Sequence, residues 1–376
     1  MPADQLVFAA DRGGQVYVIN ATALNVNDTA NAIITTVPVG EGPVHSYALP
    51  SRDEFWVHAD DSGWFDVISL VNISELRAGG PVVAHVDVPG HGKLLVDASM
   101  PGYPLRGFAS NVAEPAVYDL VLPAGFGNAT IDDTEGRVYN FSAYSDDPTS
   151  EFHCPGTHGL AYSKLNDHVY ATCSDVGLIE IDIVGEAPVM LHRNATGGQA
   201  FTTPDEHYVV VVDKTGDSVH VVVPGEPGAA SSMDLPSVDA MGGNPDKVAF
   251  FELPDGSWRM FVSLTDNFHS LVDETAEGDS GVGWVDLDAV YDNPDEAQNL
   301  TKVPGAGAVT RNGPFTHRAI TTSGSRVATI THHPITGVAL IDGVTGELEG
   351  VVPTNQVSRT REARVPRAAP ASRRAA

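Results

Sequence analysis

Cys154-Pro-Gly-Thr-His158-Gly-Leu-Ala-Tyr-Ser-Lys-Leu-Asn-Asp-His168-Val-Tyr-Ala-Thr-Cys173-Ser-Asp175 reads as a short apolar strand, a tight polar turn and a second strand. His158 leads the first strand, and the two cysteines of the chain bracket the pair. Two other stretches echo it: Ser46–Ala59 follows His45, and Arg318–Thr331 follows His317. Outward from these copies, apolar residues alternate or come in runs of four to six, and 37 glycines and 26 prolines interrupt them at short intervals. Helical periodicity is nearly absent. The exceptions, Val71–Ala78 and Asp288–Asn299, read as excursions on loops.

Aligned, the echoes give a repeat of about 40 to 60 residues, the period of a β-propeller whose blades are four-stranded antiparallel sheets. The expected fold is all-β, a seven-bladed propeller forming one domain over residues 1–353. The first blade is incomplete, with Leu6–Ala10, Gln15–Ile19 and Ile33–Val39, which look like its last three strands. The second runs from His45 to Val86, the third from Gly90 to Phe141, and the fourth is the opening stretch with Gly177–Asp182 and Val189–His192. Gln199–Val223 supplies the fifth, Lys247–Leu287 the sixth around an acidic insertion at Asp266–Ser280, and His317–Val352 the seventh. Closure of the ring is not evident, because the first blade lacks an innermost strand while the seventh already has four candidates. Thr354–Ala376, rich in Arg, Ala and Pro without apolar periodicity, is expected to be a disordered basic tail.

Composition bounds the partners. With 376 residues, 42% of them hydrophobic, the chain can bury a sizeable core. A formal net charge of -28, with five lysines against sixteen arginines, argues against nucleic acid and anionic membrane and favours a cationic ligand. No run of about 18 apolar residues could span a membrane. Met1–Gln5 has neither the charged nor the apolar region of a signal peptide, so the chain is expected to be cytosolic or stripped of a leader. Seven Asn-X-Ser/Thr sequons, at Asn20, Asn27, Asn72, Asn128, Asn140, Asn194 and Asn299, point towards export, although chance supplies several in so Asn- and Thr-rich a chain. Cys154 begins one strand and Cys173 ends the next. Antiparallel pairing would bring them within disulfide reach and indicate an oxidising compartment; two buried free thiols are the alternative.

In a propeller the first strand of each blade lines the central channel, so equivalent strand entries converge in space. His45, His91, His158 and His317 all stand at such entries, each followed by a small or polar residue and then an apolar run. Three or four imidazoles converging in a channel suit a borderline metal such as zinc, which takes neutral ring nitrogens at about 2.0 Å. Affinity for such an ion would fall as pH drops through the imidazole range near about 6.5. Asp246, near the equivalent position of the sixth blade, is a candidate carboxylate ligand or a partner of the ligands. A polar channel without metal is the alternative for the same four histidines. Of the other ten among fourteen, His153 is a candidate outer ligand and His332-His333 lies on a blade turn; the rest read as structural or surface residues.

Histidines opening the first strands, and above all Cys154-Pro-Gly-Thr-His158-Gly with the following Cys173-Ser-Asp-Val-Gly177, resemble the AztD family. These are periplasmic β-propeller metallochaperones that deliver zinc to the solute-binding protein of a zinc ABC transporter. Gly42-Pro-Val-His45 and His91-Gly-Lys-Leu-Leu-Val96 are similar to further landmarks of the family, and as an architecture the resemblance covers residues 5 to 353. It implies a periplasmic or extracellular zinc-binding propeller, with the channel histidines as Zn2+ ligands, Cys154 and Cys173 as a disulfide, and a zinc solute-binding protein as delivery partner.

Other constellations carry less. The acidic groups Asp132-Asp133 with Glu135, Asp146-Asp147, and Asp273-Glu274 with Glu277 and Asp279 match no calcium-loop spacing and read as solvated surface. No Gly-X-Ser-X-Gly elbow occurs. The expected protein is thus a monomeric, non-enzymatic zinc binder. Two readings from other classes stay open: a secreted or surface propeller that binds protein or glycan, with incidental histidines, and a metal-dependent hydrolase or lactonase. The last would need carboxylates at strand entries and an open coordination position for water, and Asp and Glu are scarce at those entries.

Overall fold

The computed structural model describes residues 6–20 except 12, 33–49, 54–59, 62, 64–69, 84–87, 94–98, 106–112, 115–121, 138–141, 154–173, 176–193 except 186, 195, 197–204, 208–213, 216–225, 238–239, 245–264, 281–292, 298–304, 320–331 except 324, and 337–353. Among these residues the strands form seven sheets. Sheet 1 holds β1 (Leu6–Asp11), β2 (Gln15–Asn20) and β3 (Ile33–Pro38); sheet 2 holds β4 (Pro43–Leu49), β5 (Glu54–Ala59), β6 (Trp64–Ser69) and β7 (Ala84–Asp87). Sheet 3 has β8 (Leu94–Ala98), β9 (Arg106–Ser110), β10 (Ala116–Val121) and β11 (Val138–Asn140). In sheet 4, β12 (Leu160–Ser163), β13 (His168–Cys173), β14 (Gly177–Asp182) and β15 (Ala187–His192) follow one another. Sheet 5 begins with β16 (Gln199–Thr202), β17 (Val209–Asp213), β18 (Ser218–Val222) and β19 (Val238–Asp239). After β20 (Pro245–Glu252), β21 (Trp258–Leu264) and β22 (Gly281–Asp286) of sheet 6 come the helix α1 (Leu287–Asp292), then β23 (Gln298–Asn299) and β24 (Thr301–Lys302). Sheet 7 is β25 (Ile320–Ser323), β26 (Arg326–Thr331), β27 (Gly337–Asp342) and β28 (Leu348–Pro353).

Neighbouring strands pair antiparallel, with one exception: β23 leaves its own sheet and runs parallel to β19, as a fifth strand of sheet 5, while β24 completes sheet 6. The expected loop excursion at Asp288–Asn299 is therefore a short helix followed by this crossing strand. Val71–Ala78, Asp266–Ser280 and Thr354–Ala376 lie outside the described residues.

Strands of sheets 1, 4, 5, 6 and 7 carry apolar side chains on both faces because apolar clusters pack each of these sheets on both sides. In β1, Val7 and Ala9 join Ala328, Val338, Leu340 and Val352 of sheet 7, whereas Phe8 and Ala10 turn to the cluster of Phe55, Val57 and Ile68 in sheet 2. The same alternation in β17 sends Val209 and Val211 towards sheet 4 and Val210 and Val212 towards sheet 6. Each fully buried valine, leucine or isoleucine among them contributes about 1.5–3 kcal/mol.

The first sheet departs from the sequence reading. β1 packs against β4 and against β25, so it stands in the innermost row of strands. That row runs β1, β4, β8, β12, β16, β20, β25, each member packed on the next, and its last member meets the first. The junction that was not evident in the sequence is a direct apolar contact between sheets 1 and 7.

Two local devices fix the hairpins and their neighbours. Asp182 Oδ1 accepts the N–H groups of Val184 and Gly185, Asp342 Oδ1 those of Val344 and Thr345, and Asp213 Oδ1 that of Gly216, so one short side chain closes each turn. Arg259, buried on β21, lies 3.8 Å from the Trp284 ring, donates to both Asp286 oxygens and reaches the Val344 carbonyl, which ties sheet 6 to the last turn of sheet 7.

Candidate metal-binding site

The segment from Cys154 to Gly159 approaches the start of β12 without forming a strand of its own, and it is anchored on three sides. Cys154 and Cys173 form a disulfide across a sequence separation of 19. Towards sheet 3, Thr157 donates its N–H to the Asn111 carbonyl and its hydroxyl to the Ala116 carbonyl, Asn111 N–H donates back to Thr157 Oγ1, and Ser110 Oγ donates to the His158 carbonyl. Within sheet 4, His158 N–H bonds the Thr172 carbonyl at 2.9 Å and Thr172 N–H bonds the Gly159 carbonyl at 2.9 Å. Two residues thus face one, the pattern of a β-bulge, which re-aims the side chain at a strand entry.

Towards sheet 5, His158 Nδ1 makes a short hydrogen bond with the Gly198 carbonyl oxygen, and the Gln199 amide nitrogen lies 3.4 Å from the same ring atom. A carbonyl only accepts, so Nδ1 carries the proton and the lone pair of the neutral ring is on Nε2. This is the way metal-binding imidazoles are commonly oriented. The close approach depends on Gly159: a Cβ there would stand 2.5 Å from Ala200 N and from Gln199 Cα.

His45 lies inside β4, opposite His58 of β5, just after a bulge at Pro43/His45. It is nearly buried, while His58 is fully buried and stacks on Phe65 with ring centroids 4.6 Å apart. The imidazoles of His45 and His158 approach to 6.4 Å between centroids, edge to face, although 113 residues and the whole of sheet 3 separate them in sequence. For two histidines on one tetrahedral zinc, with Zn–N near 2.0 Å, the centroids would stand about 5 Å apart. The observed 6.4 Å is more than 1 Å wider than that spacing.

The other expected site residues are placed less directly. His91 and His317 lie outside the described residues. Asp246 is buried, but it is the bulged residue between Pro245 and Lys247, so Lys247 in sheet 6 takes the register position that His45 holds in sheet 2. Among the described residues, no group of three or more His, Cys, Asp or Glu side chains could hold a metal ion.

Sequence reasoning missed a buried polar network in sheet 4. Glu180 Oε1 bonds His168 Nδ1 at 2.6 Å, and Glu180 Oε2 bonds His192 Nε2 at 2.9 Å. Asn166 and Tyr170 also donate to the carboxylate. The signal was a lone glutamate in the apolar run Leu178-Ile-Glu-Ile181, since a fully buried charge needs such partners. In sheet 2, buried Asp66 likewise accepts from Trp64 Nε1 and from His85 Nδ1 on the outer strand. His153, His207, His269 and His332-His333 lie outside the described residues.

No protein-family model and no curated protein matches the chain. Solved structures do. A 6-phosphogluconolactonase, so named provisionally, from Bacteroides fragilis aligns over 93% of this chain and 94% of that one, with a TM-score of 0.56 at 12% identity. The β-propeller domain of Cps50 (Swd1) from Myceliophteria thermophila aligns over 88% of this chain and 91% of that one, with a TM-score of 0.56 at 10% identity. The fold is a β-propeller. At such identities the likeness speaks for the propeller and for nothing its relatives bind or convert. Apo AztD from Citrobacter koseri also aligns, over 93% of this chain and 86% of that one, but a TM-score of 0.40 at 13% identity decides nothing about zinc here. No helix among the described residues is long and apolar enough to cross a membrane.

Proposed function

We propose that this chain is an exported, seven-bladed propeller of four-stranded blades that binds zinc at the entries of its inner strands and hands the ion to the solute-binding protein of a transporter. His45 and His158, with His91 and His317, are the ligands of this reading, and zinc is cargo rather than a resident cofactor. The observation that carries it is the convergence of His45 and His158 from two sheets that are not neighbours, at 6.4 Å between ring centroids. The Gly198 carbonyl on His158 Nδ1 adds to it, because it leaves Nε2 as the donor nitrogen. The Cys154–Cys173 disulfide supports an oxidising compartment. The delivery role rests on the short motifs that resemble the AztD family.

The test is metal content by plasma mass spectrometry after zinc loading and desalting, for the parent and for His45→Ala/His158→Ala. We expect about one zinc per parent chain and at least tenfold less in the variant, since removing two of the neutral nitrogen donors leaves at most half of a tetrahedral set. Equal contents would sink the proposal.

A further inference from the structure

Seven of the 16 asparagines in the chain open an Asn-X-Ser/Thr sequon. Serine and threonine together supply 50 of the 376 residues, so random order would give about two such triplets and leaves most of the seven to explain. Among the described side chains, the motif separates exposed asparagine from buried. Asn111 and Asn166, which open no sequon, are buried, Asn111 beside Thr157 and Asn166 in the network around Glu180. Asn140 and Asn299, which do open one, are exposed.

Both exposed asparagines stand on the rim of the propeller, since β11 is the outermost strand of sheet 3 and β23 that of sheet 5. In each triplet the middle residue is anchored inward. Phe141 is buried with Phe108, Val117 and Cys154, and its N–H bonds the Pro115 carbonyl at 2.7 Å. Leu300 is buried with Met260, Val262 and Val285, so close to Gly283 that a Cβ there would meet Leu300 Cβ at 2.9 Å. Side chains alternate along extended chain, so an inward middle residue turns its two neighbours outward together. Thr301 is exposed as Asn299 is, which presents the amide and the hydroxyl of that sequon on one surface.

We propose that the chain is N-glycosylated at Asn140 and Asn299, on the outer strands of sheets 3 and 5. The donor is an oligosaccharide held through C1 of its first sugar on a lipid phosphate or pyrophosphate. Transfer breaks the bond from C1 to the phosphate oxygen and forms one from C1 to the asparagine amide nitrogen. The lipid phosphate leaves with the electron pair of the broken bond, and the amide proton passes to a base of the transferase. An outermost strand exposes unpaired backbone groups on which another chain could add, and a bulky, solubilising glycan beside them blocks that approach. This makes no use of the zinc reading and shares with it only export.

Trypsin releases Val138–Lys164 and Met260–Lys302, each with a single sequon. Mass spectrometry of the reduced digest, on full-length protein purified from its native cells, should find both peptides heavier by whole sugar residues in most chains. Asn140→Gln and Asn299→Gln, expressed in the same cells, should each lose the added mass from its own peptide alone. Thr301→Ala should lose it at Asn299 although the asparagine remains, and Thr301→Ser should keep it. A peptide found bare in the parent overturns the proposal at its asparagine. Both bare in protein recovered outside the cytosol overturns the glycan and leaves export standing, whereas both bare in protein confined to the cytosol overturns export as well. Sugar that persists on Met260–Lys302 in Asn299→Gln is held by a hydroxyl and overturns the N-linked assignment there.

Discussion

Gly159→Ala probes the contact on which the site depends. The added methyl would meet Ala200 N and Gln199 Cα at 2.5 Å and the Gln199 carbonyl carbon at 2.7 Å. These are backbone atoms of the next inner strand, not the ends of side chains that could swing away. Restoring ordinary contact would require β12 and β16 to part by about 1 Å, and the bond between His158 Nδ1 and Gly198 would go with them. Overpacking costs about 1–3 kcal/mol, and a clash against backbone belongs at the upper end, about 3 kcal/mol. With an unfolding entropy of about 2.1 cal/mol/K for each of 376 residues, that lowers Tm by about 4 °C. Gly350→Ala on β28 is the control: a Cβ there has nothing within 4 Å, and removing a strand glycine should stabilise by about 0.5 kcal/mol. Both variants would be melted beside the parent by circular dichroism. If Gly159→Ala melts within about 1 °C of Gly350→Ala, the close approach of sheets 4 and 5 is not what the geometry describes.

Two further outcomes are expected. Cys154→Ser/Cys173→Ser opens a loop spanning a sequence separation of 19, which by chain entropy costs about 3 kcal/mol and about 4 °C in Tm. Yet Thr157, Ser110 and Thr172 still anchor the segment, so zinc retention should change less than about threefold, the scale of a fraction of one hydrogen bond; a loss beyond tenfold would show that the disulfide, not these bonds, holds His158. Burial pushes the Asp11 carboxyl above its ordinary value of 3.8, against the pull of the Gly13 N–H and the Tyr17 hydroxyl. The stability this group contributes is complete below pH 3.8 and is lost as pH rises through the raised pKa. Asp11→Asn should therefore melt level with the parent near pH 3 and above it at pH 7, about the ordinary range of a carboxyl and well beyond it. A gap that is the same at both pH values would contradict this.

The repeat was legible because a sheet buried on both faces needs unbroken apolar runs, and runs such as Val209–Val212 between an acidic turn and a polar strand entry can be counted without a structure. Closure was not legible, because whether a strand is inner or outer depends on partners more than 300 residues away: β1 reads like any middle strand until Val7 and Ala9 are seen against Ala328 and Leu340. The strand β23 escaped for a related reason, since two residues added in parallel to β19 leave no period to detect.

The site shows the same division more finely. Histidine at a strand entry is a matter of sequence, but where the ring points is a matter of the bulge beneath it. Sheets 2, 4 and 6 each enter with two residues against one, at Pro43/His45, at His158-Gly159 on Thr172, and at Pro245/Lys247. A bulge shifts the register by one residue, which the apolar pattern downstream does not record. In sheet 4 His158 is the extra residue, as Asp246 is in sheet 6, whereas in sheet 2 His45 follows the extra residue and pairs with His58.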